Sequence, residues 1–202
     1  MKKGIFAGKR IEGILGACLL FVFLTGCSDE VQLQDGTNLQ IENDGTVTVT
    51  YIEEFPSDYY DASELEVMNQ EEVDAYNQQA DTDVVEVIST TTDGSKLTLT
   101  MRYQDMDDYA DMNSVPAYSG TVGQAAAMGY DLNRSFIQVK DGKQITDIDW
   151  ENLDTHHIVI INEPAAVHTF KKIEYVTDNV IVSEDRKMAT VTGEEQAVIV
   201  FK

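Results

Sequence analysis

Hydrophobic and polar residues alternate along three stretches of the chain, and an Asp-Gly pair divides each of them. The stretches are residues 38–52 around Asn43-Asp44-Gly45, residues 83–103 around Asp93-Gly94, and residues 136–145 around Asp141-Gly142. Alternation places apolar side chains on one face of a strand, and Asp-Gly readily adopts the positive φ of a tight turn. The pattern therefore predicts three β-hairpins.

Residues 61–79 have a helical period instead. Their apolar and aromatic positions fall near one stripe, formed by Leu65, Met68, Val73 and Tyr76. Asp61 and Glu64 have the spacing of a capping box, which predicts the start of one long acidic helix. Residues 105–112 predict a short acidic helix. Residues 121–128 predict a small alanine-rich helix that Gly129 closes.

The remaining apolar runs are short and rich in β-branched residues. Residues 114–120 are predicted as loop or short strand. Later strands are predicted at Ile158 to Ile161, Ile173 to Val176, Val180 to Val182, Ala189 to Val191 and Ala197 to Phe201. Strands in hairpins with few helices are typical of the α+β class. We expect a mostly antiparallel sheet built from hairpins, one long acidic helix and one or two short helices.

The N-terminus has the pattern of an export signal. Four basic residues precede an apolar run over residues 13–24, which is too short for a transmembrane helix of roughly 20 residues. The run ends in Leu24-Thr25-Gly26-Cys27, which resembles the lipobox of bacterial lipoprotein precursors. This resemblance implies cleavage before Cys27, a diacylglycerol on its thiol, and location on the outer face of a bacterial membrane. That membrane is the cell membrane if the bacterium is Gram-positive.

Two other ways of processing the N-terminus compete with this interpretation. Leu15-Gly16-Ala17-Cys18 has the same pattern, but cleavage there leaves residues 19–24 as an exposed apolar segment. It also shortens the apolar region to about five residues, below the usual 7–15. Plain secretory cleavage that leaves Cys27 as a free thiol is the other alternative. Cys27 is favoured as the lipidation site because the chain becomes polar immediately after it.

These observations predict the domain organisation. Residues 1–26 form the lipoprotein signal peptide, residues 27–37 a lipidated polar tether, and residues 38–202 a single α+β domain. After cleavage Cys27 is the only cysteine, so no disulfide can form within the chain. Such a domain depends on its hydrophobic core alone.

The chain of 202 residues has a net charge of −22, and its acidic residues are concentrated in the first half. Residues 27–95 contain 18 Asp and Glu and no Lys, Arg or His. Clustered Lys and Arg are needed to bind phosphates, so nucleic acid is not an expected partner, and neither is adhesion to anionic lipid through the protein surface. The acidic half is interpreted as a self-repelling, soluble surface or, alternatively, as the face for a basic or cationic envelope partner.

Residues 105–111 and 147–154 place carboxylates at alternate positions, as calcium loops do. An EF-hand needs Gly at position 6 and Glu at position 12. The first stretch has Ala110 and Pro116 there, and the second has Asn152 and Ile158. These acids are therefore interpreted as solvated. We predict no metal site and no cofactor.

The histidines do not predict a metal or catalytic site. His156 and His157 are adjacent in a predicted strand, so they point to opposite faces. One is expected to be partly buried and the other solvent-facing. The chain contains none of the common hydrolase or phosphate-binding motifs. Asp154 near His157 is the only acid–base pair considered, and no catalytic residue is predicted.

The layout also resembles uncharacterised surface lipoproteins of Gram-positive bacteria, through the lipobox, Asp58-Tyr59-Tyr60-Asp61 and Gly129-Tyr130-Asp131. That resemblance implies location only. We expect a lipid-anchored, non-enzymatic binding or structural module of the envelope, with its ligand and oligomeric state left open. The alternatives are an envelope hydrolase that uses a carboxylate pair and a divalent-cation-binding surface protein. The nine tyrosines are interpreted as half-buried strand residues or as interface residues.

Overall fold

The computed structural model describes residues 31–54 and 62–202. These residues contain three α-helices, which are α1 (Ala62–Ala80), α2 (Met106–Asn113) and α3 (Val122–Ala127). They also contain thirteen strands, the first seven of which are β1 (Gly36–Ile41), β2 (Val47–Glu54), β3 (Val85–Asp93), β4 (Lys96–Tyr103), β5 (Ala117–Thr121), β6 (Phe136–Gln138) and β7 (Lys143–Ile145). The other six are β8 (His157–Ile161), β9 (Ala165–Thr169), β10 (Ile173–Val176), β11 (Val180–Val182), β12 (Met188–Val191) and β13 (Ala197–Phe201).

The strands form two sheets rather than the one expected. Sheet A has the order β11-β12-β9-β1-β2-β4-β3, and sheet B has the order β5-β8-β13-β10-β6-β7. Sheet B is antiparallel, but sheet A is mixed because β1 runs parallel to β9, with Leu39 opposite Val167. The sheet of hairpins that we expected is therefore correct only in part. Hairpins generate antiparallel neighbours alone, whereas β1 also pairs with a strand far along the chain.

The three hairpins predicted from the Asp-Gly pairs are confirmed. β1 pairs with β2, β3 with β4, and β6 with β7. In the turns, Gly45 has a φ of 96° and Gly142 a φ of 68°, a region that residues with a Cβ rarely adopt. The glycine in each turn is therefore needed by the backbone.

The central strands of sheet B are buried on both faces. On β13, Ala197, Ile199 and Phe201 face sheet A, while Val198 and Val200 face the opposite side. A second apolar cluster covers that side and includes Phe136 and residues of α3. Double burial explains why β8 and β13 are nearly continuous apolar runs instead of alternating ones.

The inner face of sheet A is covered by two different elements. Its β9 and β12 side packs against sheet B through residues such as Val167 and Ala189. Its β3 side is covered by α1, whose Val73 joins the same core. Asn77 fixes the end of α1 to β3, because its amide accepts from the backbone N–H of Val84 and of Val85 at 3.0 and 2.9 Å. Residues 31–202 thus form a compact unit with its own core.

The short helices begin as the sequence predicts. Asp105 caps α2 by accepting from the backbone N–H groups of Asp107 and Asp108. Thr121 and Gln124 form a capping box on α3, and Gly129 follows that helix with a φ of 87°. β1 begins at Gly36, within the stretch predicted as tether, and Gln34 is held there by the side chain of Asn38.

Candidate functional site

A pocket of about 500 Å³ lies between α1 and the β2–β4 part of sheet A. Its size is in the range of small-molecule sites. Its apolar lining comes from Leu65, Leu97, Leu99, Met101 and Met112. Its polar and aromatic lining comes from Tyr51, Glu53, Glu54, Asn69, Glu72, Tyr103 and Asn113. We call this cavity the α1 pocket.

The α1 side of the pocket follows from helical spacing. Leu65, Asn69 and Glu72 lie at positions i, i+4 and i+7, and therefore share one face of the helix. The predicted stripe needs one correction, since Met68 is exposed while Val73 is buried. Met68 follows Leu65 by three positions, so its side chain is rotated away from the side of the helix on which Asn69 and Val73 lie. The pocket face of α1 is thus more polar than the apolar stripe suggested.

Tyrosines and an asparagine form the deep wall of the pocket. Tyr51 donates through its hydroxyl to Asn113 Oδ1 at 3.1 Å, and Asn113 Nδ2 donates to the Tyr103 hydroxyl at 3.2 Å. Burial raises the pKa of Tyr51, as does the proximity of Tyr103 and Glu163. Tyr103 also packs edge-on against Tyr109, with ring centroids 5.3 Å apart. Burial therefore keeps the phenol groups protonated, and the hydrogen bonds and ring contact fix their rings.

A buried carboxyl lies behind this wall. Glu163, between β8 and β9, accepts a hydrogen bond from the Tyr109 hydroxyl on α2. Burial raises the pKa of Glu163, and the hydrogen bond from Tyr109 lowers it by less. Burial also raises the pKa of Tyr109. Neither residue was predicted as functional, because their proximity depends on how α2 packs.

The described residues that line the pocket are in part anionic and aromatic, and none of them is positively charged. The basic residues of β4, Lys96 and Arg102, alternate with the pocket-facing Leu97, Leu99 and Met101 and lie on the other face of sheet A. There Lys96 pairs with Asp35 at 2.6 Å, and Arg102 pairs with Glu86 at 3.5 Å.

One polar atom in the pocket wall is unpartnered. The side-chain nitrogen of Asn69 is buried and has no hydrogen-bond partner among the described residues. Buried polar groups are normally hydrogen-bonded, and one left unpartnered costs about 1–3 kcal/mol.

The histidines do not form a catalytic pair with Asp154. His156 is buried and its Nε2 lies 3.4 Å from Glu174 Oε2, while the His157 ring stacks on Phe201. The two side chains do point to different faces, but neither is freely solvent-facing. The backbone carbonyl of Asp154 accepts from the N–H of Gly123. The carboxylate nearest the imidazole of His156 thus comes from β10.

The two acid-rich stretches cap helices. Asp105 begins α2, and Asp149 caps a short 3-10 turn over Trp150–Leu153. Burial and the neighbouring acids raise the pKa values of Asp107 and Asp108. Within residues 31–54 and 62–202, no group of three or more His, Cys, Asp or Glu is placed to hold a metal ion.

Several residues singled out from the sequence lie outside the described residues, namely Cys18, Cys27 with the rest of the lipobox, and Asp58-Tyr59-Tyr60-Asp61. Gly129-Tyr130-Asp131 is described, and the Tyr130 ring lies 5.0 Å from that of Tyr118. None of the helices in the described part of the chain has the length and apolarity needed to span a membrane.

Comparison of the chain with protein-family models, with curated proteins and with solved structures finds no match in any of the three.

Proposed function

We propose that this protein is a lipid-anchored, extracytoplasmic binding protein of the bacterial envelope, and that its binding site is the α1 pocket. The observation that supports binding is the pocket itself, which combines an apolar floor with converging tyrosine and amide groups. Binding sites for small molecules typically have this composition.

The anchoring part of the proposal rests on the N-terminal sequence. Leu24-Thr25-Gly26-Cys27 follows a basic segment and a short apolar run, and a polar stretch comes directly after it. Stable anchoring by lipid needs two acyl chains or a second signal, and a diacylglycerol on Cys27 supplies two chains.

Anchoring is tested by fractionating bacteria that express the protein or its Cys27→Ser variant. The native protein is expected in the membrane fraction, with the mass of a lipid on its N-terminal residue. Cys27→Ser should be released or left uncut, and Cys18→Ser is the matched control that should behave like the native protein. Normal retention of Cys27→Ser, or a mature chain that begins at residue 18, would contradict this assignment.

Binding is tested with a chain that starts at Ser28, which keeps every described element and the whole described core. The probe is N-phenyl-1-naphthylamine, a neutral dye whose emission rises in apolar surroundings. The emission should rise on mixing and should fall when Leu99→Trp fills the pocket. Ile181→Trp is the control, since Ile181 is exposed on β11 at the opposite end of sheet A. Equal dye binding by both variants would exclude the α1 pocket as the site.

A further inference from the structure

We propose that the α1 pocket selects organic cations in which an ammonium group is joined to an apolar chain or ring. This inference rests on the proposed binding function and names the ligand class for the same site. Three features of the pocket support this inference. Its charges and its aromatic wall favour the ammonium group, and its apolar floor favours the apolar chain or ring.

The charged side chains among the described residues that line the pocket are all acidic. α1, β2 and α2 contain no Lys, Arg or His, and the basic residues of β4 lie on the other face, paired with Asp35 and Glu86. Glu53 of β2 and Glu72 of α1 are both exposed and belong to the lining of the pocket. Walls of low dielectric concentrate the field of such charges within a cleft. An anionic ligand would therefore be repelled and a cationic one attracted.

The aromatic wall of the pocket also favours a positively charged ligand. The ring of Tyr51 lines the cavity and is partly exposed, whereas Tyr103 is fully buried, and the hydroxyl groups of both are engaged by Asn113. An ammonium group over the face of a tyrosine ring is attracted by the negative potential of the ring face, and more strongly in desolvated sites. Burial raises the pKa of both phenols, so these rings remain neutral.

The apolar floor of the pocket favours an alkyl or aryl group in the uncharged part of the ligand. Leu97, Leu99 and Met101 of β4 and Leu65 of α1 present a continuous apolar surface. A simple inorganic cation would leave this surface in contact with water, whereas an alkyl or aryl group would cover it. Inorganic cations also require a cage of oxygen ligands, and no such group is found in the described part of the chain.

The test compares three probes of equal chain length and different charge, which are n-hexylammonium, n-hexanol and n-hexanoate. Each is titrated calorimetrically into the chain starting at Ser28 at low ionic strength. Hexylammonium should bind about tenfold more tightly than hexanol, and hexanoate more weakly than both. Glu53→Gln with Glu72→Gln should remove most of the advantage of hexylammonium and leave hexanol binding unchanged.

A matched double variant distinguishes the effect of the pocket carboxylates on binding from the effect of the net charge of the protein. Glu66→Gln with Glu71→Gln neutralises two exposed carboxylates of α1 that do not line the pocket, and it should preserve the preference for hexylammonium. Hexanol and hexylammonium binding with equal affinity would overturn the cation inference while leaving the proposed binding function intact. If no probe binds, both proposals fail. If Leu99→Trp leaves hexylammonium binding unchanged, the cation binds elsewhere on the acidic surface and the inference is wrong.

Discussion

The hydroxyl of Tyr109 donates a hydrogen bond to the carboxylate of Glu163, and this contact joins α2 to the turn between the two sheets. β8 precedes this turn in sheet B and β9 follows it in sheet A. The same side of α2 carries Asn113, which bonds to Tyr51 and Tyr103 in the pocket wall. The position of the pocket wall thus depends on a contact at its back.

Removing the Tyr109 hydroxyl should therefore destabilise the protein. Tyr109→Phe leaves a half-buried carboxylate without this donor, and we expect a loss of about 1–3 kcal/mol in the free energy of unfolding. Glu163→Gln should cost less, because an amide oxygen can still accept. Urea denaturation of the native protein and both variants measures the difference. A Tyr109→Phe variant as stable as the native protein would show that the contact contributes nothing.

Glu163 should also make stability depend on pH in a predictable direction. Burial raises its pKa above the value of 4.5 expected for an unfolded chain, so the folded protein binds this proton more tightly. Its stabilising contribution is complete below the unfolded pKa and is lost as the pH rises through the folded pKa. The stability of the native protein relative to Glu163→Gln should therefore fall with rising pH over this interval. Urea denaturation at a series of pH values tests this, and a constant difference would contradict it.

His168 should have the opposite pH dependence. It is buried on β9, and burial lowers its pKa below 6.5, while Asp185 opposes the shift weakly. The unfolded chain therefore takes up this proton first, and stability is lost as the pH falls from 6.5 through the folded pKa. His168→Gln should reduce this loss of stability at acidic pH, as measured by thermal unfolding between pH 4 and 8. If the native protein and His168→Gln lose equal stability at acidic pH, other titrating groups cause the effect.

Salt should stabilise the folded chain. The acidic residues of α1, β2 and β3 have few positive partners among the described residues, and the ion pairs of Lys96 and Arg102 are exposed. Mobile ions screen repulsion between surface charges, with a Debye length of about 10 Å at 0.1 M. The melting temperature should rise with ionic strength, equally in sodium, magnesium and calcium chloride of matched ionic strength. A large stabilisation by micromolar calcium alone would instead indicate a specific metal site.

Local signals predicted the parts of the fold that local interactions determine. Asp-Gly pairs located the three hairpins, and the alanine-rich stretch before Gly129 located α3. β9 was missed, because Ala165-Ala166-Val167-His168-Thr169 neither alternates clearly nor is rich in strong strand formers. Its strand conformation depends on its neighbours β1 and β12, which are distant in sequence. The parallel pair in sheet A was missed for the same reason.

The pocket could be predicted only in part. The absence of basic residues between positions 27 and 95 correctly indicated an anionic region, and the helical period placed α1 on a core. Asn113 and Glu163 carried no signal, since an isolated amide or carboxylate in a short helix or turn has many possible neighbours. The packing of α2 against β4 and β5 brings them to the wall. That packing depends on tertiary contacts, which periodicity does not reveal.

The central place of β13 in sheet B has a consequence for how the protein is made. This strand is the last one described, yet it lies between β8 and β10, and its residues enter both hydrophobic clusters. Neither cluster can be completed while β13 is still inside a ribosome or an export channel. Contacts between distant segments also form slowly, so a chain in transit has little opportunity to fold early. The order of the strands therefore delays completion of both clusters until β13 is released, and for the exported protein that we propose this delay would keep the emerging chain competent for translocation.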